Sequence, residues 1–483
     1  MEETTTDEPL TPGARLFLVP EFNQSIVSGM GLRDPVTPEA IEVMKQNLAN
    51  SMVMKHPRFT SILVTDEKGR QHWRKTKINL DDHCIIHYHY NHSSDEVPAT
   101  IDVDSESYED IINDYLADFS VGSSLSRDKP LWEVHLIVDL RCIIWRVHHA
   151  LGDGISLTSM LLESCRMLAN PDQVPELMRS RKNNEDSHRR RKWPGPGDIW
   201  KLLKVIWFTL IYVAGFIGRS LGVKDKTVIS GGEGVELWPR KIATAKFSLE
   251  DMKTVKRSVP NSTINDVLFG LITSGLSRYL EIRSGQDMKG GQQITGLSMV
   301  NLRESKGLQE MSKMMEEGRK ARWGNEIGFI LLPTYYHRPS PNQDPLEYVK
   351  RAKSLMDSKK LSLEAYFMHK TCDLLTALFG PQTTARTTYT VTCNTTFFMS
   401  NMAGPQEEIT VAGNPVTFLK SVVTSIPQAI LMFMTSYNGS VSMQVLVAKD
   451  IIPDPKFLAK CFEDAFLDMK NAAEGKFTKP KHA

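Results

Sequence analysis

Cys142-Ile143-Ile144-Trp145-Arg146-Val147-His148-His149-Ala150-Leu151-Gly152-Asp153-Gly154 is a stretch in which one periodicity gives way to another. Up to Val147 it is a β-branched and aromatic run, the composition of a strand. From Ser156 onward Leu157, Met160, Leu161 and Leu168 fall at helical spacing. The paired histidines and the Asp-Gly that follows therefore occupy a strand-to-helix turn. Gly152 and Gly154 give the backbone freedom to reverse, and a strand end is a usual place to present a reactive side chain. An unperturbed imidazole, with a pKa of about 6.5, is mostly neutral near pH 7. It can take the proton of an attacking alcohol and return it to a departing thiolate, which is acyl transfer without a covalent enzyme intermediate. Asp153 suits a supporting role, holding the turn by a hydrogen bond or an arginine pair. The plainer alternative is a polar turn carrying two ordinary histidines.

Composition sets the outer bounds. With 483 residues, 41% hydrophobic and 24% charged, the chain is long enough for two large halves with buried cores. Its 58 basic and 57 acidic side chains leave a net charge of +1, a balance that argues against a nucleic-acid partner. The cysteines at 84, 142, 165, 372, 393 and 461 are scattered with no CxxC pair, which suits free thiols in a reducing compartment. The acidic first residues have no apolar core, so no signal peptide is expected. No serine-nucleophile elbow, phosphate loop or dinucleotide fingerprint occurs. The cluster His83, Cys84, His87, His89 and His92 fits no standard zinc spacing, and no metal is expected. Helical patterns cover 38–51, 108–118, 156–168, 264–282, 345–358 and 455–472, strand patterns cover 132–138 and 440–447, and 404–417 reads as a turn and hairpin with Gly413-Asn414 at its tip. The class is α/β.

The turn motif has the form HHxxxDG and resembles the signature of the CoA-dependent acyltransferase superfamily. Other landmarks are similar to those of the plant wax ester synthase/diacylglycerol acyltransferase family. They are Glu8-Pro9-Leu10-Thr11-Pro12 with Ala14-Arg15-Leu16-Phe17, Pro130-Leu131-Trp132-Glu133, Thr263-Ile264-Asn265-Asp266-Val267, Val300-Asn301-Leu302-Arg303, Trp323-Gly324-Asn325 and Ser400-Asn401-Met402-Ala403-Gly404-Pro405, in family order. The resemblance implies a two-domain sandwich with the active-site channel between the halves, His149 as general base, and His148, Asp153 and Gly154 as motif support. It implies acyl-CoA as a co-substrate rather than a bound cofactor. Asn265 and Asp266 either cap a buried helix or shape the acyl channel. Ser400 and Asn401 either form a strand and turn or supply an oxyanion donor. Trp132 reads as a core residue at the head of a strand.

The middle of the chain changes character. A basic run, 179–192, is followed by Pro194-Gly195-Pro196-Gly197 and then by 205–218, which carries no charge. A bilayer core asks for about 20 apolar residues, and this stretch is shorter unless Lys201, Lys204 and Arg219 snorkel at its ends. A single crossing would also put His149 and the Ser400 region on opposite sides of a membrane, although the resemblance requires both halves to build one site. Membrane attachment through an interfacial or re-entrant helix is therefore the expectation, ahead of a buried inter-domain helix or a span. The organisation expected is 1–178, an N-terminal domain carrying HHxxxDG; 179–235, a basic linker and membrane-associating segment; and 236–483, a C-terminal domain.

The function expected is esterification of long-chain fatty alcohols to wax esters, with diacylglycerol as a second acceptor giving triacylglycerol. The partners are acyl-CoA, the alcohol and a membrane surface, at the cytosolic face of the endoplasmic reticulum, with the plasma membrane as a second location. Two other readings stand beside it. One is a soluble acyltransferase of the same superfamily acting on a polar acceptor, against which stands the absence of a DFGWG motif. The other is a catalytically silent lipid-binding protein, against which stands the intact HHxxxDG.

Overall fold

Strands rich in Val, Ile, Phe and Met assemble two large sheets, and the helices between them each bury one apolar face. The computed structural model describes residues 7–89, 102, 105–122, 124–175, 196–284, 290–303, 323–338, 340 and 343–475. The first half runs β1 (Glu8–Pro9), α1 (Pro12–Phe17), β2 (Ser25–Leu32), α2 (Pro38–Asn50), α3 (Met52–Lys55), β3 (Ser61–Thr65), β4 (Gln71–Lys75), β5 (Cys84–His87), α4 (Glu106–Val121), β6 (Trp132–Ile137), β7 (Cys142–His148), α5 (Gly154–Glu163) and β8 (Cys165–Met167). After α6 (Pro196–Ser220) come β9 (Arg240–Ser248), α7 (Leu249–Ser258), α8 (Ile264–Ser284), β10 (Gln293–Asn301), β11 (Ile327–Tyr335), α9 (Leu346–Leu361), α10 (Glu364–Phe379), α11 (Pro381–Cys393) and β12 (Phe397–Ala403). The chain continues with β13 (Ile409–Val411), β14 (Asn414–Val423), β15 (Ile430–Tyr437), β16 (Ser440–Ala448) and α12 (Pro455–Ala473).

The first sheet has the order β5-β6-β7-β2-β14-β13-β8, and the second β11-β10-β12-β15-β16-β9. The α/β sandwich in two halves expected from the pattern is the architecture found. A division of the chain at residue 236 nevertheless leaves out one feature. Residues 409–423 leave the second half and complete the first sheet, with β14 antiparallel to β2 and β13 antiparallel to β8. The hairpin they form turns at Ala412-Gly413, one residue earlier than read, because both adopt left-handed backbone (φ 51 and 84) as a tight two-residue turn requires. The helix after the HHxxxDG turn also stops sooner than its spacing suggests: Ser164 caps it, and Cys165–Met167 pair with β13 as a strand.

Between the sheets, α4 packs on β2 and on β9. The buried Lys420 on β14 ties these elements, donating to Glu109 (2.9 Å), Asn113 (2.8 Å) and Thr244 (3.0 Å). Trp132 is fully buried and donates from Nε1 to the Phe59 carbonyl at 2.9 Å. Where β12 ends beside β15, a Cβ on Gly404 would run into the Ser436 carbonyl, so only glycine fits there.

The segment α6 is the one helix among the described residues long and apolar enough to cross a membrane, yet only 6% of its apolar stretch is buried. A buried inter-domain helix is thereby excluded. Its C-terminal part is fastened to the protein: Tyr212 shares a hydrogen bond with Ser358 (2.7 Å), and Leu363 donates its N–H to Thr209 (3.0 Å). Arg219, read as a snorkelling flank, is instead buried and paired with Asp225 at 2.7 Å. A helix bonded along its flank to α9 and its neighbours lies on the body rather than leaving it. The basic run 179–192 lies outside the described residues.

Candidate active site

His149 follows the last residue of β7, and its position is fixed from both halves of the fold. Its N–H donates to the Gln24 carbonyl at 2.8 Å, and its ring stacks on Phe17 with centroids 4.1 Å apart. From the second half, Asn325 Nδ2 donates to the His149 carbonyl at 3.0 Å, which leaves Asn325 Oδ1 facing the imidazole Nδ1, also at 3.0 Å. An amide oxygen only accepts, so Nδ1 carries the hydrogen and Nε2 presents its lone pair. No described residue hydrogen-bonds to Nε2. Burial lowers the His149 pKa below its ordinary value, outweighing the opposing pull of the Asp153 charge and of Asn325. The ring is therefore a neutral base at physiological pH.

His148 has a different fate. Its Nδ1 accepts from the Ala150 N–H at 3.1 Å and its Nε2 donates to Asn23 Oδ1 at 2.7 Å. Both nitrogens are occupied, and burial beside His149 pushes its pKa down to about 3. It is a neutral strut for the turn. Gly152 allows tight packing, since a Cβ there would lie 3.1 Å from Ser156 and 3.3 Å from Trp323. Gly154 opens α5, and a Cβ on it would meet only Met402 Sδ, at 4.0 Å.

Asp153 caps α5 by accepting from the Ser156 N–H at 3.0 Å, a role worth about 1 kcal/mol. Its other oxygen accepts from Arg303 Nη1 at 2.7 Å and from the Glu326 N–H at 3.1 Å. Arg303 continues through Nη2 to the Gly324 carbonyl (2.8 Å) and Ser156 Oγ (3.1 Å). Trp323 Nε1 donates to the Leu151 carbonyl at 2.7 Å. The turn from the first half is thus laced to residues 301–303 and 323–326 of the second.

The four channel candidates separate. Strand alternation puts Phe398, Ser400 and Met402 on one face of β12 and Phe397, Met399 and Asn401 on the other. The first face meets α5, the helix that follows the HHxxxDG turn: Thr158 donates to Met402 Sδ at 2.8 Å, and the Ser400 hydroxyl makes no hydrogen bond to a described residue. Asn401 turns away and donates to Asn265 at 2.7 Å in an exposed pair beside α8. Asp266 is fully buried and accepts from the Thr263 N–H (2.7 Å) and hydroxyl (2.9 Å), capping its own helix. None of these four bonds to the His148–Gly154 turn. In the histidine cluster, His83 bonds the Trp132 carbonyl (2.7 Å) and His87 bonds His135 (2.9 Å), while His92 lies outside the described residues.

Comparison with known proteins gives the family and the fold. Residues 116–226 match the wax ester synthase/diacylglycerol acyltransferase catalytic domain, and residues 323–470 match the WS/DGAT C-terminal domain. Wax ester synthase/diacylglycerol acyltransferase 2 of Arabidopsis thaliana is 32% identical, covering 98% of this chain and 97% of its own. Family member 5 from the same plant is 33% identical over 96% and 93%. The chain belongs to the wax ester synthase/diacylglycerol acyltransferase family. The fold is shared with the wax ester synthase/diacylglycerol acyltransferase of Marinobacter aquaeolei VT8 (TM-score 0.58, 17% identity, 96% and 100% coverage). It is shared too with the first condensation domain of the calcium-dependent antibiotic synthetase (TM-score 0.57, 12% identity, 98% and 98%).

In this member of the wax ester synthase/diacylglycerol acyltransferase family, the site residues to which sequence reasoning gave no role include Phe17, Arg303 and Asn325. All three sit inside quoted landmarks or beside them, and that placement was the available signal. Asn325 is directly testable. Asn325→Asp places a carboxylate against Nδ1 and stabilises the imidazolium, so the acid limb of the rate–pH profile is expected to move up by about one pH unit. Asn325→Leu, with no acceptor for Nδ1–H, is expected to lower kcat without that movement. An acid limb unchanged in Asn325→Asp would remove Asn325 from contact with the base.

Proposed function

We propose that this protein is an acyl-CoA-dependent O-acyltransferase that esterifies long-chain fatty alcohols to wax esters, with diacylglycerol as a second acceptor. The observation that carries the reading is the His149 imidazole, held neutral by burial, oriented through Nδ1 by Asn325 and, among the described residues, unengaged at Nε2. The alcohol gives its proton to Nε2 as its oxygen bonds to the thioester carbonyl carbon. The carbon–sulfur bond of the tetrahedral species then breaks, and the CoA sulfur takes the proton back from Nε2. Acyl-CoA enters as a co-substrate, and the step needs no prosthetic group. Burial raises the barrier to forming the imidazolium, and the Asp153 charge together with the Asn325 acceptor offsets part of it.

Lipid substrates suit the rest of the molecule. An apolar cavity of about 120 Å³ lies between α2 and the first sheet, walled by Met30, Met44, Leu48, Trp145 and Leu161. The exposed α6 attaches the protein to a membrane as an interfacial helix, and the cytosolic face of the endoplasmic reticulum fits both the supply of acyl-CoA and the six unpaired cysteines. The test is product analysis of membranes expressing this chain in a host without neutral-lipid synthesis, supplied with palmitoyl-CoA and either hexadecanol or diacylglycerol. Wax ester is expected, with a smaller yield of triacylglycerol. Triacylglycerol alone would move the function to storage lipid, and no product with either acceptor would overturn the reading.

A further inference from the structure

Two adjoining helices carry apolar side chains on their outer faces. On α6 and just beyond it, Trp200, Leu203, Trp207, Leu210, Ile217 and Leu221 lie one or two helical turns apart on one face, with Ala214 between Leu210 and Ile217, and the six large side chains are all exposed. Their opposite face, with Tyr212, Phe216 and Arg219, packs on the protein. On α10, which packs against α6, Tyr366, Phe367, Leu374, Leu378 and Phe379 are exposed, the last two at 64% and 63%. Sequence reading found the first of these faces and not the second. Soluble proteins rarely leave so continuous an apolar surface open to water.

Charge favours a lipid bilayer over a protein partner as the occupant. No acidic residue occurs from 199 to 224, where Lys201 and Lys204 are exposed, and on α10 the exposed Lys370 stands beside its partner Asp373 at 3.4 Å. Lys204 lies 5.9 Å from the Trp200 ring centre and Lys370 5.9 Å from that of Tyr366. Tryptophan and tyrosine beside lysine is the chemistry of a headgroup layer with anionic lipid.

Behind α10 lies a cleft. It is walled by Gly13 and Leu16 of α1 and by His369, Cys372 and Thr376 on the inner side of α10. It reaches Phe17 and Asn325, two side chains that touch His149. At about 40 Å³ the cleft takes only a few waters and no long alkyl chain, so entry of a chain requires α1 and α10 to part.

We propose that the outer faces of α6 and α10 form a single lipid-facing plane, and that the α1–α10 cleft beside it admits the bilayer-dissolved alcohol to His149. The cleft half of this rests on the acyltransferase reading above. The plane does not.

The test uses the purified full chain, phosphatidylcholine vesicles containing about one fifth phosphatidylserine, and two acceptors: vesicle-borne hexadecanol and water-soluble hexanol. Leu374→Asp combined with Leu378→Asp alters only exposed positions. It is expected to reduce vesicle flotation and hexadecanol esterification by about tenfold each, with hexanol esterification within about twofold of wild type. Thr376→Trp, which fills the cleft, is expected to float normally while losing hexadecanol turnover. Flotation of the double variant equal to wild type would overturn the plane, as it would if the face serves a protein. Equal loss of both acceptors in that variant, with its melting transition intact, would also overturn it. Unchanged hexadecanol turnover in Thr376→Trp would overturn the cleft. A wild-type protein that floats but makes no ester from either alcohol would instead defeat the acyltransferase reading and leave the plane standing.

Discussion

Replacing His149 by alanine is expected to lower kcat for ester formation by about a hundredfold or more, with KM for acyl-CoA little changed. The size of the loss follows from the absence of a substitute. His148 has both ring nitrogens committed and a pKa pushed down to about 3, so it has no lone pair to offer toward substrate. The Asp153 carboxylate is engaged by Arg303, Ser156 and Glu326. His369, across Asn325 in the cleft, directs Nδ1 to the Ile327 carbonyl at 3.0 Å. The pH profile supplies a second readout. Only the neutral imidazole accepts a proton, and burial holds the His149 pKa below its ordinary value, so wild-type activity should stay level from neutral pH downward past 6.5 and fall only in more acid solution. The residual activity of His149→Ala should lack that fall. Near wild-type turnover, or a loss confined to KM, would defeat the assignment of His149 as base.

Legibility of the site in the sequence follows the distance over which each interaction is made. The HHxxxDG turn is local: strand, glycines, Asp cap and helix are consecutive, and all but the helix end could be read in order. Partners of the turn are not local. Arg303 reaches Asp153 across 150 residues and Asn325 reaches His149 across 176, so their family landmarks were recognisable while their roles were not. Ser400 and Asn401 illustrate a different limit. Neighbours in sequence, they were given one shared role, yet the pleat sends Ser400 toward the turn and Asn401 toward Asn265. Arg219 shows the error that composition invites. A cation flanking an apolar stretch reads as a membrane anchor, whereas Asp225, six residues on, draws it into the protein. The return of 409–423 to the first sheet left no trace in periodicity, because a strand pairing with β2 has the same alternation as one pairing with β15.

The interlock between the halves makes Arg303 the residue whose loss should cost most in stability. Arg303 and Asp153 are each 2% exposed in their side chains, and the guanidinium fork serves Asp153, Asn301, Ser156 and the Gly324 carbonyl at once. Arg303→Met would leave the Asp153 carboxylate and these acceptors buried without their donor, an outcome that costs about 3–5 kcal/mol. The expected result is a urea midpoint well below wild type and, where the variant is still folded, kcat reduced by about tenfold or more, because the turn that aims His149 has lost its brace. Arg303→Lys should recover little of either, since one ammonium cannot span a fork of four acceptors. Asp153→Asn combined with Arg303→Met removes the stranded charge and should restore much of the stability without restoring the rate. That split separates bracing from folding: a double variant that regained full activity would show that the ion pair only holds the protein together, and an Arg303→Met midpoint equal to wild type would show that it does not do even that.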